Sequence, residues 1–287
     1  MPDELDQLKR IARQRLESLR RAGVDFLPNS KVVIAPTKRI RPVDQAPSLV
    51  EETPPQIIPR PTPRPVVIGP VVVPMMAASL FEEPALEGSP IPTMERPGQL
   101  EALRIEVSAC VRCPLLAETR TQTVFGEGSS TARVMFIGEA PGAEEDRTGR
   151  PFIGPAGQLL TDMITKGMGL TREEVYIANI LKSRPPENRD PLSDEMKHCL
   201  PYLERQLAII RPEFLCLLGR IAAQALLDTA IPLGRLRGKW HKVRGIPALV
   251  TYHPSYLLRN PAAKKDAWQD LQILMQAMGI SPPRRTK

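Results

Sequence analysis

Two polar residues stand at the ends of apolar runs in the sequence and could contact a ligand. Asn179 lies near the end of the run 175–181, and His253 directly follows the run 246–252. The carboxamide of Asn179 could pair with the amide edge of a nucleic-acid base. Either residue alone is more often a structural residue with satisfied hydrogen bonds. Together, at the ends of two predicted strands, they indicate a single ligand site.

A third feature is the loop rich in glycine and proline that follows the apolar run 134–137. It covers residues 138–157 and contains Gly138, Gly142, Gly149, Gly154 and Gly157. Glycines let a backbone turn tightly and approach a ligand closely. The loop has neither the lysine of a Walker motif nor G-x-G-x-x-G spacing, so a site for nucleotide phosphates is a poor match.

The four cysteines could hold a metal. Cys110 and Cys113 have a turn-like spacing that lets two thiolates face one metal, and Cys199 lies far downstream on a predicted helix. Cys216 sits within an apolar strand and is expected to be a core residue. In a cytosolic chain this cysteine usage argues against a disulfide framework and for a metal, redox chemistry or burial.

Alternating strands and helices must position these residues. The predicted strands are residues 134–137, 175–181, 214–218 and 246–252, and the predicted helices are residues 156–168, 193–210, 221–228 and 262–278. This alternation predicts an α/β fold of three layers, α/β/α, around a short central sheet of four parallel strands. Ligands of such sheets bind at the carboxyl ends of the strands. Asn179, His253 and the glycine-rich loop all fall there.

The chain divides into three predicted regions. Residues 1–27 are expected to form an amphipathic helix, and residues 28–98 a proline-rich, disordered linker that holds 16 of the 32 prolines. Residues 99–287 form the predicted folded domain. The net charge of +7 suggests an anionic partner, and all but one unit of it belongs to residues 99–287.

The sequence predicts a cytoplasmic protein with no membrane segment. The acidic residues Asp3, Glu4 and Asp6 precede any apolar region, which is unlike a signal peptide. The longest apolar runs are interrupted by glycine and proline before they reach the roughly 20 residues that a membrane helix needs.

Three segments resemble the signature regions of family 4 uracil-DNA glycosylases, the iron–sulfur type. They are residues 138–160, 179–186 and 253–261, and the similarity extends over most of residues 99–278. The resemblance implies an enzyme that flips uracil out of DNA and hydrolyses its N-glycosidic bond, leaving an abasic site.

The same resemblance assigns the residues that would contact the base. Gly138, Glu139 and the backbone of Ala140 would lie beside the uracil, and Phe152 would stack on it. Asn179 would read the uracil edge, accepting from N3 and donating to O4. Cytosine presents the opposite pattern of donor and acceptor, so this contact would discriminate between the two bases.

Catalysis would depend on His253, which the resemblance puts near uracil O2 as a hydrogen-bond donor to the departing anion. Leu257 would insert into the space that the flipped base leaves. Other uracil-DNA glycosylases have a catalytic aspartate where this chain has Ala140. Glu139 is therefore the candidate for assisting the attacking water, and its alternative role is that of a structural acceptor for loop amides.

The family also implies a structural four-iron, four-sulfur cluster held by four cysteines. Cys110, Cys113 and Cys199 match three of the ligands, but the remaining position is Ser183. Three interpretations stay open: serine ligates the fourth iron, the cluster has three irons, or the cluster is absent. A zinc bound by the three cysteines is a further alternative.

The main competing hypothesis is a catalytically impaired paralogue that binds DNA or a protein partner. Ser183 and the long tail motivate it, whereas an inactive scaffold would have no chemical reason to keep Phe152, Asn179 and His253 together. A covalent uracil binder is a poorer match, because residues 185–191 contain no basic insertion with a histidine. The expected partners are uracil-containing DNA, single- or double-stranded, and possible protein contacts of the N-terminal helix. A monomer is expected.

Overall fold

The computed structural model describes residues 89–281 of the chain. The helix predicted in residues 1–27 and residues 28–88 of the predicted linker lie outside this range, as do residues 282–287. Within the range, the first helix begins at Arg96, so the last three residues of the predicted linker are helical. Pro97 occupies the first turn of that helix, where its fixed φ fits and its missing N–H costs nothing.

A six-stranded sheet forms the centre of the fold. Its strands are β1 (Glu127–Gly128), β2 (Val134–Gly138), β3 (Tyr176–Asn179), β4 (Phe214–Leu218), β5 (Trp240–Val243) and β6 (Ile246–Thr251). Their order is β1-β3-β2-β4-β6-β5. The four inner strands are parallel, while β1 and β5 pair antiparallel at the two edges.

The α/β class and the four parallel strands agree with the sequence prediction, but the predicted total of four strands was wrong. The four inner strands are buried on both faces, which is why they read as continuous apolar runs. The edge strands give no such signal: β1 has two residues, and β5 is largely polar and partly exposed. β5 joins β6 through a tight hairpin in which Arg244 and Gly245 both have positive φ.

Nine α-helices connect and flank the strands within the described range. They are α1 (Arg96–Ser108), α2 (Pro114–Thr119), α3 (Ala143–Thr148), α4 (Pro155–Asp162), α5 (Ser193–Ile210), α6 (Gly219–Leu226), α7 (Leu233–Leu236), α8 (Pro254–Arg259) and α9 (Lys264–Met278). α4 continues as a wider π-helical turn over Met163–Met168. Short 3-10 turns occupy Pro186–Asn188 and Pro261–Ala263.

The sheet has a hydrophobic core on each face, which gives the predicted three layers. On one face, alternate strand residues such as Met135 and Ile137 pack against α1, α5 and α6. On the other face, Val134 and Phe136 pack against α4 and α9. Cys216 belongs to this second core and is fully buried, as expected from its apolar context.

Between residues 89 and 281, no helix has both the length and the apolar character that a membrane crossing requires.

Candidate functional site

The glycine-rich loop after β2 is held in shape by one buried carboxylate, Glu145. Its Oε2 accepts a hydrogen bond from the backbone N–H of Gly142 at 3.1 Å, and its Oε1 accepts from Ile153 and Gly154 at 2.9 Å each. These bonds tie the start of the loop to its end. Glu145 thus takes the structural role that the sequence left open for Glu139.

Phe152 sits in this loop in a constrained conformation. Its φ of 51° lies in the left-handed region, which non-glycine residues rarely adopt. Arg172 holds it there by donating to the Phe152 carbonyl at 3.0 Å and to the Pro151 carbonyl at 2.8 Å. Gly157 passes so close to the Phe152 backbone that any Cβ would overlap it. The role of Arg172 could not be predicted from the sequence.

Asn179 lies opposite Gly138 at the carboxyl ends of β3 and β2. A Cβ on Gly138 would collide with Asn179 Oδ1 and would stand 2.5 Å from Phe152 Cζ. Glycine at 138 therefore lets the amide and the aromatic ring converge. Asn179 Oδ1 is buried and has no hydrogen-bond partner among residues 89–281. A buried acceptor without a donor costs about 1–3 kcal/mol, so this atom is suited to a ligand N–H.

His253 caps the N-terminus of α8. Its Nδ1 accepts from the backbone N–H of Ser255 at 3.2 Å and lies 2.8 Å from the Ser255 hydroxyl. A backbone N–H can only donate, so the ring proton of the neutral imidazole resides on Nε2. Burial, and to a lesser extent the charge of Arg259, lowers the pKa of His253 to about 4. The ring is neutral at pH 7, and its centroid lies 5.6 Å from that of Phe152.

Glu139 follows β2 directly and is partly buried. Burial, assisted by the negative charge of Asp190, raises its pKa to about 7, while Arg220 acts in the opposite direction. Arg220 and Asp190 form an ion pair at 2.6 Å. Glu139 therefore exchanges its proton near neutral pH, as a carboxylate suited to general base chemistry does.

These residues line one cleft of about 400 Å³ at the carboxyl edge of the sheet. The predicted residues Glu139, Ala140, Phe152, Asn179 and His253 meet there, with Gly138 packed directly behind Phe152 and Asn179. Further lining residues that sequence reasoning missed are Asn188, Arg189, Asp190, Ser255 and Arg259. Their sequence signal was position: Ser255 and Arg259 lie inside the segment 253–261, and Asn188, Arg189 and Asp190 closely follow the segment 179–186.

Leu257 does not reach the surface of this cleft. It is 1% exposed and lies on the buried side of α8, while its neighbours Tyr256 and Leu258 are 39% and 43% exposed. Successive helix residues point about 100° apart, so the residues on either side of a buried position face outward. The predicted insertion of Leu257 into DNA would require this side chain to leave its buried position.

A second cavity lies among the cysteines. Cys110, Cys113, Cys199 and Ser183 all line it, together with Arg120, Lys182, His198 and Tyr202. Burial raises the pKa of the Cys113 thiol to about 11. Ser183 Oγ accepts a hydrogen bond from Arg120 at 3.1 Å, and Arg120 also donates to the Cys110 carbonyl at 2.7 Å.

The cavity supplies three of the four thiols that a four-iron cluster normally takes. No group of three or more His, Cys, Asp or Glu side chains in the described part of the chain is arranged to hold a metal ion. The hydroxyl of Ser183 is a harder and weaker donor than a thiolate, and it is already engaged by Arg120. The donor set fits a metal centre only if a non-cysteine ligand completes it.

Comparisons with known proteins identify similar sequences over the folded part of the chain. The model of the uracil DNA glycosylase superfamily matches residues 125–272. A type-4 uracil-DNA glycosylase of Sulfurisphaera tokodaii is 42% identical over 195 residues, covering 65% of this chain and 88% of the relative. A protein of the same description from Pyrobaculum aerophilum is 42% identical over 182 residues, covering 61% of this chain and 92% of the relative. A type-5 uracil-DNA glycosylase of that organism is 30% identical over 182 residues, covering 53% of this chain and 80% of the relative.

Proposed function

The chain belongs to the uracil DNA glycosylase superfamily, and on that premise we propose that it removes uracil from DNA as a base-excision repair enzyme. The observation that carries the proposal is the buried, unpartnered Asn179 Oδ1 beside the ring of Phe152. Uracil supplies both a donor for that oxygen, its N3–H, and a flat face for that ring. The proposed substrate is uracil in single- or double-stranded DNA, and the proposed active form is a cytoplasmic monomer.

Binding would begin with extrusion of the uracil nucleotide into the cleft. Stacking on Phe152 contributes on the order of 1–3 kcal/mol per base. Asn179 Oδ1 accepts from N3–H while its amide group donates to O4. Cytosine would meet this amide with an acceptor at N3 and a donor at the exocyclic amine, so both contacts would fail.

Bond cleavage would depend on His253. As the bond between the sugar C1′ and uracil N1 breaks, its electron pair passes to the base and negative charge grows on O2. A neutral imidazole with its proton on Nε2 donates a hydrogen bond to that charge without giving up a proton. The low pKa of His253 and its bond to Ser255 both support this role.

Water would then add to C1′ of the oxocarbenium-like sugar. No aspartate stands at Ala140, and Glu139 is the carboxylate of the cleft that follows β2. In its ionised form Glu139 would attract the water and accept the proton that the water loses. The pKa near 7 supports an ionised fraction that is substantial at neutral pH.

Tyr256 and Leu258, exposed on α8 beside the cleft, would fill the gap in the DNA stack in place of Leu257. Arg189 and Arg259 line the same cleft and could contact phosphates. The excess positive charge of residues 99–287 supports binding to a polyanion. The N-terminal helix predicted in residues 1–27 is proposed as a contact for a protein partner.

Cys110, Cys113 and Cys199 would hold the iron–sulfur cluster that the family implies. That cluster would be structural, because hydrolysis of an N-glycosidic bond transfers no electrons. Its contribution would be to tie the segment before α2 to the middle of α5.

The test is incubation of the purified full chain with single- and double-stranded oligonucleotides that each carry one uracil, followed by alkaline cleavage. Free uracil should be released without added divalent metal. His253→Ala should slow the single-turnover reaction by raising its activation free energy by about 2–4 kcal/mol, with DNA affinity nearly unchanged. A protein that binds the uracil DNA but releases no base would instead be the catalytically impaired paralogue.

A further inference from the structure

His198 contacts one of the predicted metal ligands. Its Nδ1 lies 3.4 Å from Cys113 Sγ. His198 directly precedes Cys199 on α5, whereas Cys113 directly precedes α2. An imidazole is therefore held against a thiol across two segments that are 85 residues apart in sequence. All three side chains line the same cavity.

We propose that His198, and not Ser183, is the fourth ligand of a metal centre whose other ligands are Cys110, Cys113 and Cys199. Neutral imidazole is a good ligand for both zinc and iron, and three thiolates with one imidazole are an established ligand set for a structural zinc ion. Two donors on one tetrahedral ion, at about 2.3 Å for sulfur and about 2.0–2.1 Å for nitrogen, stand roughly 3.5 Å apart. In the structure, Cys113 Sγ and His198 Nδ1 are hydrogen-bonded at 3.4 Å, so the two donors already stand at the spacing that one ion would need.

Ser183 is the competing oxygen donor, and its surroundings oppose that role. Its hydroxyl accepts from Arg120, which is itself anchored on the Cys110 carbonyl. To ligate a metal, Ser183 would have to lose the bond to Arg120 and replace a soft thiolate with a hard oxygen. With His198 as the ligand, Arg120 stays in place and its charge offsets that of the thiolates.

Binding must draw the donors together. In the described range no three such side chains converge on one point. The three thiols and the imidazole already line one cavity, so the movement that binding requires takes place within it. The folded chain thereby positions the ligands, and the metal adds its binding energy to the stability of the native state.

The experiment compares metal content in four full-length proteins, purified anaerobically from cells supplied with iron and zinc. They are the unaltered chain, His198→Ala, Ser183→Ala and the double variant His198→Ala/Ser183→Cys. Iron, acid-labile sulfide and zinc are measured for each, with visible absorbance. Sulfide equal to iron identifies a cluster, and zinc without sulfide identifies a single zinc ion.

The unaltered chain and Ser183→Ala should hold the same metal in the same amount. His198→Ala should retain clearly less metal than the unaltered chain. Loss of a ligand should weaken metal binding by at least on the order of tenfold, since even outer-shell partners of metal sites are worth about 10–100-fold in affinity. The double variant should regain metal, because a thiolate at 183 restores a fourth soft donor. That rescue also guards against a His198→Ala protein that simply fails to fold.

X-ray absorption at the metal edge of the unaltered chain should show one nitrogen neighbour, and this neighbour should be missing from the double variant. Full metal content in His198→Ala together with loss in Ser183→Ala would overturn the assignment, as would a chain that binds neither metal. None of these readouts depends on uracil release, so the ligand assignment and the proposed enzyme activity succeed or fail separately.

Discussion

In the proposed function, Asn179 would provide the sharpest discrimination in the cleft, because its amide would present one acceptor and one donor to the base edge. Asn179→Asp replaces the amide donor with a second oxygen. We expect uracil excision to fall by on the order of 10²-fold or more and excision of cytosine to appear, since the carboxylate can accept from the cytosine amine. Release of each base from matched oligonucleotides measures both.

Asn179→Ala is the control for this change. It removes both contacts, so it should lose uracil excision without gaining activity on cytosine. Equal loss in the two variants, with no new activity in Asn179→Asp, would mean that the cleft reads the base by other contacts.

Glu139 should give the reaction its dependence on pH. The carboxylate acts when ionised, and its pKa is raised to about 7. Single-turnover rates should therefore rise between pH 5 and pH 8, with half of the increase reached near pH 7. Glu139→Gln should be slower and show no such rise. His253, with a pKa near 4, stays neutral through this range and contributes no second limb.

The raised pKa of Glu139 also affects the stability of the fold. Its contribution to stability falls as pH rises, whereas the reaction rate rises. The folded state binds the Glu139 proton more tightly than the unfolded chain does, so the group favours folding below its ordinary pKa of 4.5 and loses that contribution as pH rises to about 7. Glu139→Gln should accordingly raise the Tm relative to the unaltered chain at pH 8 and by less at pH 5.

At the scale of elements, β2, β3 and the glycine-rich loop can approach one another closely because residue 138 is a glycine. Gly138→Ala would push a methyl group into Asn179 Oδ1 and Phe152 Cζ. We expect stability to fall by about 1–3 kcal/mol from overpacking, with a larger relative loss of uracil excision. Gly234→Ala is the control, because a Cβ there meets no atom within 4 Å. Similar activity in the two variants would contradict the proposed crowding.

The elements also show why part of the site could be predicted from the sequence. Strands buried on both faces are continuous apolar runs, so Asn179 and His253 could be assigned to strand ends. Orientation around a short helix cannot be read from a motif, and Leu257 consequently proved to be buried. His198 was missed because its contact with Cys113 is made through the tertiary fold. Its adjacency to Cys199 was the only available signal.

For the whole molecule, α1 is the first helix of the described range and belongs to the folded unit. Leu103 and Val107 of α1 are fully buried in the core, and Arg96 donates to the Ile210 carbonyl at 2.8 Å. A chain of residues 89–287 should keep its Tm and its turnover on short oligonucleotides. A chain of residues 109–287 should lose several kcal/mol of stability, since each large apolar core residue contributes about 1.5–3 kcal/mol. Thermal unfolding of both proteins tests this, and equal stability would show that α1 is dispensable.

Lys182 has a consequence for how this sequence can change during evolution. Its buried Nζ donates to the carbonyls of Asn179 and Phe125 at 2.9 and 3.2 Å and to Gln206 Oε1 at 2.7 Å. It therefore fixes the backbone between Asn179 and residue 183. Because this anchor does not involve the side chain of residue 183, that side chain can change without moving the backbone, whereas a change at 182 would disturb both cavities at once. We expect natural variants to tolerate many residues at 183 and very few at 182.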